Sequence, residues 1–402
     1  MDPVSNPFAP GAGSRPPQLA GRDAIIENAT IAMKRVRIGN HAKSQMLLGL
    51  RGVGKTVLLN HLSEIAENQG YLTSLIEAPE GRRLADLLTP PLRTMLFRLS
   101  GSEKARVLAN RALGALRSFA GVFKVSYGDF GVGIEAEPGT SATGDLEADL
   151  SSLLVMVAQA AREADQPVAI FIDEVQYLEK KDLEALIASL HRIAQKSLPL
   201  IVFGAGLPQL AGQLGDAKSY AERLFDFPPI GPLTPEASRD AIRFPIEDAG
   251  AAIEDDALDR IVNHTKGYPY FLQEWGHRSW DVAEHSPITK RDVDKATELA
   301  TVALDDSFFR VRFDRLTPRE QDYLRAMAEM GPGPHGSGDV AAVLNLDVQQ
   351  AGPLRTGLIR KGMIYSPEHG MTAFTVPMFD EFMRREIPEW EPGKPAPRKR
   401  LR

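Results

Sequence analysis

The chain has 402 residues, of which 25% are charged and 43% hydrophobic, with a net charge of −6 and no cysteine. That length suits two or three domains, and the absence of cysteine excludes disulfides, thiolate metal sites and cysteine nucleophiles while fitting a reducing compartment. No apolar run approaches the roughly 18 residues of a membrane span, and Met1-Asp2-Pro3-Val4-Ser5-Asn6-Pro7 lacks the basic and apolar regions of a signal peptide, so a cytoplasmic protein without membrane contact is expected.

Residues 1–20 contain five prolines and read as an extended arm. Gly21-Arg22-Asp23 then leads into a helical pattern (Ile25, Ile26, Ala29, Met33, Val36), with Asp23 placed as its cap. The apolar run Gln45-Met46-Leu47-Leu48 predicts a buried strand. Gly49-Leu50-Arg51-Gly52-Val53-Gly54-Lys55-Thr56 follows it and opens the helical pattern Val57-Leu58-Leu59-Asn60-His61-Leu62. A strand, a glycine-rich turn and a helix beginning at Lys-Thr make a cradle for phosphate. Its glycines admit positive φ and bring backbone N–H groups to the oxygens, and the helix N-terminus adds unpaired donors and partial positive charge. In such a loop Lys55 reaches the β and γ phosphates, and the Thr56 hydroxyl holds Mg²⁺.

Tyr71 to Ala78 reads as a second strand. Leu84 to Leu99 reads as a helix broken at Pro90-Pro91, and Lys104 to Leu116 as another helix. Around residues 119–138, aromatic and β-branched residues flank Gly128-Asp129 and predict an inserted β-hairpin, either a partner contact or a solvent-exposed decoration. A small-residue linker, Gly139 to Gly144, precedes an amphipathic helix from Asp149 to Ala164.

Val168-Ala169-Ile170-Phe171-Ile172-Asp173-Glu174 is the second informative stretch. Five successive apolar residues imply a strand covered on both faces, and ligands bind beyond the C-terminal ends of such strands. Asp173 there suits a Mg²⁺ holder acting through water, and Glu174 suits the base that polarises an attacking water. Leu183 to Lys196 reads as a helix, Pro199 to Leu207 as a buried strand and Phe225 to Leu233 as the last strand. Thr234-Pro235 starts a helical region that continues to about Phe309, interrupted at Gly267-Tyr268-Pro269.

Leu316-Thr317-Pro318 opens a third unit. Helices at about 318–330, 337–345 and 347–361, followed by a short ribbon from Met363 to Val376, predict a winged helix-turn-helix. Its third helix carries Arg355, Arg360 and Lys361, which suits a DNA-reading helix. Val311 to Gly393 nevertheless holds nine basic and twelve acidic residues, which suits a protein-packing role equally. The last nine residues hold five basic groups and no acid, leaving −11 for the remainder and arguing against broad nonspecific nucleic-acid binding. That tail is either a nucleic-acid contact or a solubilising end.

Together these residues resemble an AAA+ ATPase of the initiator-like and STAND-related group, over roughly residues 19–387. The resemblance implies an α/β P-loop NTPase core with a parallel sheet in the order 5-1-4-3-2, flanked by helices and followed by a helical lid and a winged helix. The divisions expected are an arm at 1–20, a core at 21–233, a lid at 234–310, a winged helix at 311–390 and a basic tail at 391–402. Bound ATP or ADP with Mg²⁺ would lie between core and lid, held by Gly49, Gly52, Gly54, Lys55, Thr56 and Val57. Leu19-Ala20-Gly21-Arg22-Asp23 is similar to the family segment beside the adenine, which assigns Gly21 and Arg22 to the nucleotide. Pro269 belongs to a lid motif, Gly-x-Pro-Arg, in which Tyr270 stands at the position of the family's second sensor arginine. Gly204-Ala205-Gly206 likewise replaces the polar first sensor. Arg223 falls where similar proteins place an arginine finger serving a neighbouring subunit, a surface salt bridge being the alternative. With both sensors missing, the expected function is a slowly hydrolysing ATP switch that repositions the winged helix to control a partner. An ATP-regulated DNA-binding initiator or transcription regulator is the alternative, and a ring-forming motor is a third.

Overall fold

The computed structural model describes residues 1–11, 13, 16–17, 19–99, 101–125 and 142–392. At its centre five parallel strands, β1 (Ser44–Leu48), β2 (Leu72–Glu77), β3 (Val168–Asp173), β4 (Leu200–Gly206) and β5 (Phe225–Asp226), lie in the order β2-β3-β4-β1-β5. This is the order expected from the resemblance. Strands β3 and β4 are buried along their whole length, which is why their sequences are almost continuously apolar. Their side chains still alternate. Val168, Ile170, Ile172, Leu200 and Val202 enter one core, and Ala169, Phe171, Ile201 and Phe203 enter the other. Phe171 and Phe203 stack with ring centroids 5.2 Å apart.

One face of the sheet is covered by α1 (Asp23–Arg37) and α2 (Lys55–Asn68). The other is covered by α3 (Leu84–Arg98), α4 (Glu103–Val122), α5 (Leu146–Glu163), α6 (Lys180–Gln195), α7 (Leu210–Ala217) and α8 (Ala221–Leu224). Four local expectations need correction. Asp23 does not cap α1. It is the first helical residue and Arg22 takes the N-cap position, so Asp23 contributes only its charge to the first turn. Helix α3 is unbroken although Pro90 and Pro91 lie inside it. Each proline removes one helical N–H, at about 3 kcal/mol. Against that, Leu84, Leu88, Leu92, Met95 and Leu96 are all buried on one stripe, at about 1.5–3 kcal/mol apiece, which outweighs the loss. Helix α4 runs on to Val122, and the rest of the expected hairpin falls largely on 126–141, outside the described residues. Finally, β5 is regular for only two residues, and pairing with β1 resumes beyond it at a single bridge, where Leu48 N–H donates to Pro228 O (3.1 Å) and Ile230 N–H to Leu48 O (2.6 Å).

Beyond the sheet the lid comprises α9 (Pro235–Asp248), α10 (Asp255–Thr265), α11 (Pro269–Val282) and α12 (Lys290–Ala303). A π-helical turn, Leu304–Phe309, joins α12 to the short α13 (Arg310–Phe313). The C-terminal unit then runs α14 (Pro318–Glu329), β6 (His335–Gly336), α15 (Ser337–Val343), α16 (Val348–Arg360), β7 (Ile364–Tyr365), β8 (Met371–Phe374) and α17 (Phe379–Glu386). Its antiparallel strands lie in the order β6-β8-β7. Reciprocal capping boxes, Thr317 with Glu320 and Asp347 with Gln350, fix where α14 and α16 start.

Lid and C-terminal unit share one apolar core, built around Trp275, Phe309, Tyr323, Phe379 and Phe382. The N-terminal arm is docked against it. Phe8 is 3% exposed and seated over Gly276, where an added Cβ would come within 2.7 Å of the ring. The Asn6 amide donates to His277 O (3.1 Å) and Asp281 Oδ1 (2.8 Å), and the Trp280 indole donates to Asp2 O (2.8 Å). Among the described residues, no helix is long and apolar enough to cross a membrane.

Candidate phosphate-binding site

A cleft of about 450 Å³ opens at the C-terminal end of the sheet, where the loop between β1 and α2 meets the lid. Gly52 (φ +82°) and Gly54 (φ +87°) turn that loop through the left-handed region, so its N–H groups face inward at the start of α2. Gly49 is required for a different reason: an added Cβ would lie 2.2 Å from Ile230 O. Lys55, the first residue of α2, is buried, and its ammonium donates to Gly49 O (3.0 Å) and Leu50 O (2.9 Å). Burial lowers its pKa, while the charges of Glu174 and Asp173 pull the other way.

The Thr56 hydroxyl donates to Asp173 Oδ2 at the end of β3, although 117 residues separate the two. Burial raises the Asp173 pKa, and the bond from Thr56 opposes that rise. A hydroxyl and a carboxylate brought together beside a phosphate cradle are hard oxygen donors of the kind Mg²⁺ takes, so this pair fits the metal that the loop implies. Glu174 sits next to Asp173 in the left-handed region (φ 55°), which turns its side chain toward the cleft that it lines. Two groups hold its carboxylate. Gln176 Nε2 donates to one oxygen, and Arg51 Nη1 lies 3.9 Å from the other. Gln176 Oε1 in turn accepts from Leu207 N (3.1 Å), just past β4.

Residues 18–203 match the model of the family described as AAA ATPase domain. They form an AAA+ ATPase domain. Residues 306–383 match a second model, described as Domain of unknown function (DUF8462). No curated protein matches the chain. Among solved structures, the Walker-type ATPase PABY2304 of Pyrococcus abyssi is similar over 92% of this chain and 97% of its own, with 17% identity and a TM-score of 0.56. That likeness shows a shared fold. Aeropyrum pernix Orc1 protein, solved in complex with DNA, covers 92% and 94% at 13% identity with a TM-score of 0.45. The Thermotoga maritima RuvB Holliday junction branch migration motor covers 95% and 100% at 17% identity, also with a TM-score of 0.45.

In this AAA+ domain the cleft gathers most of the residues singled out from the sequence. Arg22, Gly52, Gly54, Lys55, Thr56, Val57, Glu174 and Pro269 all line it. Arg22 does so with its guanidinium turned to backbone, donating to Val53 O (3.2 Å) and Gly231 O (2.6 Å), so it tethers the entry segment to the loop. Gly21 (φ +65°) lies behind, close against Ala237, and shapes that segment from outside the main cleft. Arg223 is exposed on α8 and does not line the cleft. Tyr270 also lines it, its N–H donating to Gly52 O (3.1 Å) and its ring stacked 4.6 Å from Phe308.

Three features of the AAA+ site escape sequence reasoning. Arg51, an unconstrained position of the loop motif, donates from its backbone to Thr375 O (3.1 Å) and from its guanidinium to the Tyr177 hydroxyl (2.6 Å), and a Cβ added at Gly362 would come within 2.8 Å of that guanidinium. Arg312 reaches the cleft from α13, and burial pushes its pKa down to about 10, with the nearby Arg51 charge adding to the shift. Ala9, Gly11, Gly13 and Pro16 of the arm also line the cleft, and a Cβ added at Gly13 would lie 3.8 Å from the Thr56 methyl. None of these has a local sequence signal, because each depends on a contact between distant parts of the chain.

Proposed function

We propose that the chain is an ATP-driven switch that hydrolyses its nucleotide slowly and uses the nucleotide state to set the position of its C-terminal unit toward a protein partner. Lys55 and the N–H groups of the loop hold the β and γ phosphates. Thr56 and Asp173 would hold Mg²⁺, which would supply positive charge to the phosphates. Glu174, fixed by Gln176 and Arg51, takes the proton of the attacking water as the γ phosphoryl group leaves ADP. Slow turnover follows from what surrounds the phosphates. Gly204-Ala205-Gly206 and Tyr270 stand where a polar sensor and a sensor arginine would be needed.

The observation that carries this reading is the placement of Arg51. One residue of the phosphate loop is bonded through its backbone N–H to Thr375 O of the C-terminal unit and places its guanidinium on Glu174 and Tyr177, so a phosphate that shifts this loop acts directly on the strand end at Thr375. Amide hydrogen exchange tests this. Protection of residues 362–376 is expected to differ between a slowly hydrolysed ATP analogue and ADP at saturation. Identical protection in both states would exclude the coupling.

The DNA-binding alternative draws little support from α16. Arg355 is engaged by the Thr372 and Ser366 hydroxyls (2.9 Å each) and by Met371 O (3.1 Å). Lys361 donates to Glu320 Oε2 (2.7 Å) and Arg315 O (2.9 Å), leaving exposed Arg360 as the remaining member of that basic set. Arg223, exposed and outside its own cleft, would act only on the nucleotide of a neighbouring copy in a homo-oligomer.

A further inference from the structure

Arg312 is a half-buried cation with an unusual set of partners. Its guanidinium lies 4.1 Å above the Phe308 ring and donates to Phe308 O, and no carboxylate pairs with it among the described residues. It lines the same cleft as Arg51, Lys55 and Thr56. A cation withdrawn from water calls for an anion, and the cleft gathers Arg51, Lys55 and Arg312 around a single lining carboxylate, Glu174, which is already engaged by Arg51, so positive charge is in excess and a further anion is favoured among them. The ring of Phe308 and the carbonyl of the preceding turn hold the fork in place, so it is organised before any ligand arrives.

Arg312 belongs to the segment matched by the second family model, residues 306–383, and not to the AAA ATPase match or to α11. We infer that Arg312 is the group that contacts the terminal phosphate of a bound nucleoside triphosphate, carried by the C-terminal unit in place of the lid arginine that Tyr270 displaces. This rests on the ATP-site reading and adds the means of discrimination. A triphosphate bridges the loop of the AAA+ domain to α13, and a diphosphate leaves Arg312 without an anion. The C-terminal unit therefore responds to the terminal phosphate itself.

Calorimetric titration of the full chain with magnesium and either ADP or a slowly hydrolysed ATP analogue tests the inference, using wild type, Arg312→Ala and Arg312→Gln. Losing one charge-assisted contact to phosphate is expected to weaken the triphosphate about 10–100-fold while leaving ADP affinity nearly unchanged. Arg312→Gln keeps a planar donor over Phe308, so it guards against mere loss of packing, and it should show the same selective defect. An unchanged ratio of triphosphate to ADP affinity in both variants, or an equal loss of both nucleotides, would overturn the role given to Arg312. If wild type bound neither nucleotide, the ATP-site reading would itself be overturned, and this inference with it.

Discussion

Lys55→Ala is expected to weaken ATP binding by on the order of 10²-fold or more. The estimate follows from what the ammonium does. It is buried at the start of α2, held by Gly49 O and Leu50 O at the inner wall of the loop, and flanked by Asp173 and Glu174. Removing it takes a charge-assisted donor from the phosphates and leaves two carboxylates facing them with less compensation. The fold should tolerate the change, because Lys55 bonds only to carbonyls within its own loop and α2 is anchored by Leu58, Leu59 and Leu62, each 0–1% exposed. Calorimetric titration with Mg·ATP, alongside a thermal melt showing retained structure, checks both halves. A folded variant with wild-type affinity would remove Lys55 from the site.

Glu174→Gln separates binding from turnover. The amide preserves the shape of the side chain and can still bond to Gln176, yet it cannot accept a proton from water. Turnover is expected to fall by about 10²–10⁴, the usual contribution of a general base, while ATP affinity stays within a few-fold of wild type. Phosphate release measured at saturating Mg·ATP reads the first quantity, and calorimetry reads the second. Undiminished release would show that Glu174 is not the base. A parallel loss of affinity would instead assign it a role in holding the nucleotide or its metal.

The parts of the site that were legible in the sequence are those encoded by contiguous motifs. The glycine loop and the Asp173-Glu174 pair each sit at the end of an apolar run, and a parallel sheet must bring such ends together. Thr56 and Asp173 accordingly meet. Short-range propensity was less reliable wherever tertiary contacts outweighed it. Pro90-Pro91 reads as a break, but the buried stripe of α3 carries the helix through it. Asp23 reads as a cap, but Arg22 bonds to Val53 O and Gly231 O, and helical geometry begins only after it. The arm shows a related limit. Its prolines predict an extended course, the described part includes a single 3₁₀ turn at Pro3–Ser5, and nothing local reveals that Phe8 fills the notch over Gly276.

What the sequence could not disclose is the joint between nucleotide and C-terminal unit. Arg51 and Thr375 are more than 300 positions apart, and a bond between two backbone groups leaves no trace in residue type. Arg312 looks like any arginine in a helical stretch of mixed charge. Only its arrival in the cleft that Arg51 and Lys55 also line gives it chemical meaning.

The most direct measurement of the central claim is a distance between the two halves of the molecule. The natural chain contains no cysteine, so Lys34→Cys on α1 and His369→Cys between β7 and β8, both exposed positions, would introduce the only two thiols for spin labels. Pulsed dipolar spectroscopy of this doubly labelled full chain should give one distance distribution with a slowly hydrolysed ATP analogue and a shifted one with ADP. Superimposable distributions at saturation with both nucleotides would contradict a C-terminal unit that follows the terminal phosphate.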